Sequence, residues 1–145
     1  MKLMLGGAIT LGTYDGANVE IYDSVGDENF IRFGMSTQEV AQLKPHYNPR
    51  EIYNKNPEIK GLVDVLYHGI DGNVFNEIAT SLATSDPYMV LADFESYKQA
   101  HQKAEQLYSD TLGWQRMSLI NVANAGMFSA DRAVDDYARD IWHLK

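Results

Sequence analysis

Lys2 stands at the head of an apolar run, Leu3-Met4-Leu5-Gly6-Gly7-Ala8-Ile9. A lysine amine that loses its proton in a shielded pocket can condense with an aldehyde, and that is the chemistry Lys2 would offer if it were shielded. Taken by itself, the position reads as an exposed terminal lysine, which would stay protonated at neutral pH. The other reactive side chains give weaker signals. His46, His68, His101 and His143 are scattered and form neither H-x-x-x-H nor H-E-x-x-H, so no metal site is expected. Asp27-Glu28 and Asp135-Asp136 read as solvated faces rather than acid/base pairs. There is no G-x-S-x-G nucleophile elbow. The glycine-bearing stretch Gly12-Thr13-Tyr14-Asp15-Gly16-Ala17-Asn18 matches neither phosphate-loop pattern, and reads as a tight strand-to-helix turn with Gly16 placed for close approach.

The elements that must position Lys2 are short strands among many helices. Residues 8–12 read as a strand, and a helix opens near Asp15, a plausible N-cap. Residues 30–34 read as a second strand, and Ser36 caps a helix to about Leu43. Asn48-Pro49 and Asn56-Pro57 each put a capping side chain before a proline, and both predict helix starts. The second of these helices carries Ile59, Leu62, Val63 and Leu66 at helical spacing. Gly69 and Gly72 bracket a turn, after which Asn73 is the expected cap for a helix with Val74, Ile78 and Leu82. Pro87 ends it, residues 88–91 read as a short strand, and Asp93 is the expected cap of the next helix. Gly113 ends that helix or starts the next, which runs over 114–125 and stops at Gly126; Ser129 caps the last. On this last helix Val134, Tyr137, Ala138 and Ile141 share a face, and Ile141 with Trp142 is the best candidate for docking. Strands alternating with helices predict an α/β, Rossmann-like core, mostly helical with a few short parallel strands. So small a parallel sheet cannot cover its own edges and implies a partner surface.

Length and composition set the outer limits. At 145 residues with 45% hydrophobic residues the chain can bury one core, and two full domains would be crowded. A formal net charge of −8 repels a phosphate backbone and an anionic lipid surface, so neither nucleic acid nor membrane is an expected partner. No apolar run reaches spanning length, and the opening run lacks an A-x-A-like cleavage site. The absence of cysteine excludes disulfides, thiolate metal sites and cysteine nucleophiles, and suits a cytoplasmic location. Tyr14, Tyr22, Tyr47, Tyr53, Tyr137, Trp114 and Trp142 could stack on sugars, but at helical spacing they read as core or interdomain contacts.

Four segments carry a resemblance that runs the length of the chain. They are MKLMLGGAITLGTYDGANVEI (residues 1–21), NFIRFGM (29–35), VLADFESY (90–97) and MFSADRAVDDYARDIW (127–142). The first closely resembles the cofactor-lysine segment of the α-glucan phosphorylases, the glycogen, starch and maltodextrin phosphorylases; the last resembles that family's C-terminal ending. Gly6 departs from the family pattern, which usually has asparagine there. The resemblance implies that Lys2 carries pyridoxal 5′-phosphate as a Schiff base, and that the cofactor's phosphate exchanges a proton with inorganic phosphate as glucose 1-phosphate is released from an α-1,4-glucan end. It also implies a single partial domain over 1–145, the C-terminal part of a Rossmann-like catalytic domain of glycosyltransferase-B type. The family's other phosphate-gripping residues would lie ahead of Met1, so no catalytic residue beyond Lys2 is assigned, and the isolated chain is expected to be inactive and to self-associate or form a homodimer. The rival expectation is a non-catalytic acidic interaction module, a remnant of a broken gene.

Overall fold

The computed structural model describes residues 1–144, which fall into two compact units. The first unit comprises residues 1–33 and the chain from 100 onward; the second comprises 34–99.

In the first unit the apolar opening is a single helical turn, α1 (Lys2–Leu5). Two bonds close it: Gly7 N–H donates to Met4 O at 2.9 Å and Ala8 N–H to Leu3 O at 3.1 Å, with Gly7 at φ +79°. This pair of bonds is the Schellman arrangement, in which a residue without Cβ takes the left-handed position. The chain then enters β1 (Leu11–Thr13), which starts three residues later than the expected strand and ends one later, and returns through α2 (Ala17–Val25) to β2 (Ile31–Phe33). The strands are parallel, with Leu11 opposite Ile31 and Thr13 opposite Phe33. Asp15 does not cap α2. Gly16 occupies that position, and the Asp15 carboxylate accepts from its N–H at 2.8 Å. From residue 100 this unit holds the second half of a long helix that ends at Ser109, followed by α8 (Thr111–Asn124) and α9 (Ala130–Asp140). Asp110 caps α8 through Gly113 N–H, so Gly113 lies inside the helix rather than before it; Ser129 caps α9 as expected. Met4, Ile21, Val25, Phe30 and Ala125 form the core, with Tyr22, Ile120 and Phe128 packed against it.

The second unit is helical. Ser36 and Glu39 form a reciprocal capping box on α3 (Thr37–Leu43). Asn48 and Asn56 cap α4 (Pro49–Lys55) and α5 (Pro57–His68), each with proline at the first helical position. Then α6 (Asn76–Thr84) begins after Phe75, later than the Asn73 cap expected, because Asn73 is held in a bridge with Ile70 across the Gly69-to-Gly72 turn. Residues 88–91 are not a strand. They lead into the long helix α7 (Val90–Ser109), because the buried Asp86 carboxylate accepts from Val90 N–H at 3.0 Å and Leu91 N–H at 2.8 Å. Asp93 is likewise inside α7, and its carboxylate accepts from Met35 N–H at 2.9 Å. Ile59, Val63, Ala79, Ala83 and Leu91 make the core of this unit.

Candidate functional site

Lys2 is the first residue of α1, exposed, and its amine makes no hydrogen bond or ion pair among the described residues. Its backbone is better fixed than its side chain. Two residues on, Met4 is 1% exposed in the core, whereas Leu3 and Leu5 face outward. A four-residue helix has no stability of its own, since nucleation costs more than one turn returns. Its geometry is imported from α8.

One α8 side chain reaches that turn, and a second holds the segment before β2. The Ser118 hydroxyl donates to Gly7 O at 2.8 Å, reaching the residue that ends α1. One turn later Asn121, fully buried, donates through Nδ2 to Asn29 O at 2.9 Å and Met117 O at 3.0 Å, holding the segment that leads into β2. Its Oδ1 is buried without a partner. The approach at Gly7 is tight. A Cβ there would lie 2.3 Å from Ser118 Oγ and 3.8 Å from Val122 Cγ2.

The turn after β1 is closed by Asn18, whose Nδ2 donates to Thr13 O at 3.0 Å. Gly12 is the glycine of close approach, since a Cβ there would stand 2.7 Å from Asn18 Nδ2. Gly16 is not: no atom lies within 4 Å of its Cβ position, and its φ of +53° is the reason for glycine. Beside this turn Tyr14, Tyr22 and Phe30 stack edge to face, with the Arg32 guanidinium over both tyrosine rings at 5.7 and 5.9 Å. The Tyr14 hydroxyl donates to Asp23 and that of Tyr22 to Asp27. Each hydrogen bond to a carboxylate is the main reason its phenol titrates above the ordinary value.

The remaining candidates have structural partners. Tyr47 donates to Asp86 and Tyr53 to Asp64. Trp114 stacks on Tyr108, and Trp142 lies near Tyr137 with both rings half exposed. Asp136 accepts from Arg132 and Arg139 along α9, which makes the acidic pair at 135–136 part of an ion-pair ladder. His68 meets Asp64 O and His143 meets Arg139 O. Among the described residues no group of three or more His, Asp or Glu could hold a metal.

Sequence reasoning singled out Lys2 and missed Gly7, Ser118 and Asn121. Only Gly6-Gly7 carried a local signal, as a helix stop. Nothing local marks a serine and an asparagine on a distant helix.

Residues 1–144 match the family model described as carbohydrate phosphorylase. A glycogen phosphorylase of Chlamydia pneumoniae is 43% identical over 149 residues, covering 99% of this chain and 18% of that protein. One from Synechocystis is 43% identical over 150 residues, covering 100% of this chain and 18% of its own length. The muscle form of glycogen phosphorylase from Ovis aries is 40% identical over 150 residues, with the same two coverages. The chain thus spans less than a fifth of the length of these relatives.

Proposed function

The chain belongs to the carbohydrate phosphorylase family, and from that premise we propose that it is the C-terminal part of the catalytic domain of an α-glucan phosphorylase, with Lys2 as the attachment point of pyridoxal 5′-phosphate. The observation that carries this reading is the free amine of Lys2 on a turn whose backbone is locked by Met4 and by Ser118. That arrangement fits the cofactor in the one respect this chain can meet, an available amine held at a defined place. The bound cofactor would supply the phosphate group that passes a proton to and from inorganic phosphate during cleavage of α-1,4-glucan ends. The chain's own residues hold Lys2 in place and, through the parallel β1–β2 pair, offer sheet edges for a larger Rossmann-like sheet. A cytoplasmic location fits the lack of cysteine, and no helix among the described residues is long and apolar enough to cross a membrane.

Residues 1–145 alone are inactive on this reading, because each charge-assisted contact to a phosphate contributes about 1.5–3 kcal/mol and the chain assigns none. The test is a chimera in which this chain replaces the matching 150 residues of the Synechocystis relative. Borohydride trapping and peptide mapping should find the cofactor on Lys2 of the chimera, with phosphorolysis of α-1,4-glucan that Lys2→Ala abolishes. The isolated chain should show neither activity nor selective labelling. A chimera carrying its cofactor elsewhere would overturn the assignment of Lys2, and stoichiometric Lys2 labelling of the isolated chain would overturn its dependence on the rest of the enzyme.

A further inference from the structure

We propose that Ser118 is a positioning residue for the Lys2 amine: its hydroxyl, bonded to Gly7 O at 2.8 Å, fixes the turn that ends α1 and so sets where Lys2 points. This rests on the reading of Lys2 as the cofactor lysine. Three independent features converge on the contact. The Gly7 carbonyl lies 111 residues from Ser118 in the chain, so the bond is a tertiary restraint and no part of local helix geometry. Gly7 has no Cβ where one would stand 2.3 Å from Ser118 Oγ, so the approach depends on glycine at 7 as well as on the hydroxyl at 118. Gly7 N–H and Ala8 N–H close α1 onto Met4 and Leu3, so a displacement of the Gly7 peptide unit is passed directly to the turn bearing Lys2.

Met4 anchors one side of α1 in the core, but a single apolar anchor leaves the turn free to rotate about it. A directional bond at its C-terminal end removes that rotation. Asn121 acts on the other segment, at Asn29 O, so α8 restrains the chain ahead of both strands through side chains one turn apart.

The test uses the 145-residue chain and its variants Ser118→Ala and Ser118→Thr, read by amide hydrogen exchange and by backbone ¹⁵N relaxation. Loss of one hydrogen bond should speed exchange at Gly6, Gly7 and Ala8 roughly fivefold to tenfold in Ser118→Ala. The Lys2 order parameter should fall, while exchange at Ile31 in β2 and Val63 in α5 stays unchanged. Ser118→Thr, which keeps the hydroxyl, should restore the wild-type pattern. Unchanged exchange at residues 6–8 in Ser118→Ala overturns the proposal, as does an equal change across the whole first unit, which would mark Ser118 as ordinary packing. No cofactor enters these readings. Their failure therefore removes the Ser118 restraint alone, whereas a chimera that held its cofactor without Lys2 would remove the assignment of Lys2 and leave the restraint standing.

Discussion

Removing the carboxylate of Asp86 should destabilise the second unit far more than a polar substitution in a turn ordinarily does. Asp86 is 1% exposed, and its two oxygens accept three bonds: Val90 N–H at 3.0 Å, Leu91 N–H at 2.8 Å and the Tyr47 hydroxyl at 2.5 Å. Val90 and Leu91 carry two of the first free N–H groups of α7, so the side chain acts as a helix cap from beyond Pro87, a role worth roughly 0.5–2 kcal/mol. Asp86→Ala also strands the half-buried Tyr47 hydroxyl, at about 1–3 kcal/mol. The sum predicts a loss of about 1.5–5 kcal/mol, and Tyr47→Phe, which deletes one bond to a charged acceptor, a loss of about 1.5–3 kcal/mol. Because both changes remove the same bond, the double variant should lose less than the two singles added, by about 1 kcal/mol or more. Burial first, and then the bond to Asp86, push the Tyr47 phenol above its ordinary value of 10.0. A raised pKa means the stabilisation is complete below that value and is lost progressively as the pH climbs above it, and Tyr47→Phe should abolish that part of the alkaline slope. Urea titration with exchange at the Leu91 amide measures all of this. Single variants within about 0.5 kcal/mol of wild type, or strictly additive losses, would refute the account of Asp86 as the cap of α7.

The other outcomes can be checked with the same material. Gly7→Ala should cost about 2–3 kcal/mol, from the left-handed backbone and the displaced Ser118 hydroxyl, and less in a Ser118→Ala background; urea titration of the two singles and the double reads the difference. Lys2→Ala in the isolated chain should change stability by no more than about 0.5 kcal/mol, since the side chain is exposed and unpaired. The bonds from Lys55 to Glu51, from Lys60 to Asp64 and from Arg139 to Asp140 hold these carboxyls below their ordinary values of 4.5, 3.8 and 3.8. Their stabilisation is present above those values and lost as the pH falls through the lowered ones, so an acid titration followed by circular dichroism should show a slope that Asp64→Asn reduces. Light scattering across a salt series should show association that grows with ionic strength, because Leu3, Leu5, Leu112 and Leu119 are exposed while the net charge of −8 is screened; a monomer at every salt and concentration would count against it.

What could be read from the sequence were elements whose signals are local. Ser36 and the two Asn-Pro pairs announce helix starts through side chains that bond within three residues of the cap, and all three helices start where expected. The strands at 11–13 and 31–33 were legible as apolar runs ending in glycine, though the first was placed too early because an isolated run does not fix its pairing. The misreading at 88–91 has a different origin. Tyr88-Met89-Val90-Leu91 is a β-prone run, but Asp86 four and five residues ahead of the first helical N–H groups overrides that preference, and Met89 turns the chain at φ +55°. The Asp86-Pro87 pair was a signal of the same kind as Asn48-Pro49, displaced from the helix it serves. At 73 the competing force was the turn: Asn73 is committed to its bridge with Ile70, and the helix waits until Asn76.

The site divides along the same line. The proposed attachment point, Lys2, was visible because the residues around it carried the resemblance. The restraint on it was not, because α1 is too short to hold itself and its C-terminal end is bonded by a side chain 111 residues away. Such restraints leave no periodic trace in a sequence. Ser118 sits on α8 between Met117, which faces the core, and Leu119, which faces outward, at a position where a helix tolerates almost any small residue. Only the glycine it meets carries a mark, since position 7 needs both a left-handed backbone and the absence of Cβ. The glycine just past this short apolar turn is therefore the place to look for its distant hydrogen-bond donor, and the direction in which its missing Cβ would point leads to Ser118 on α8.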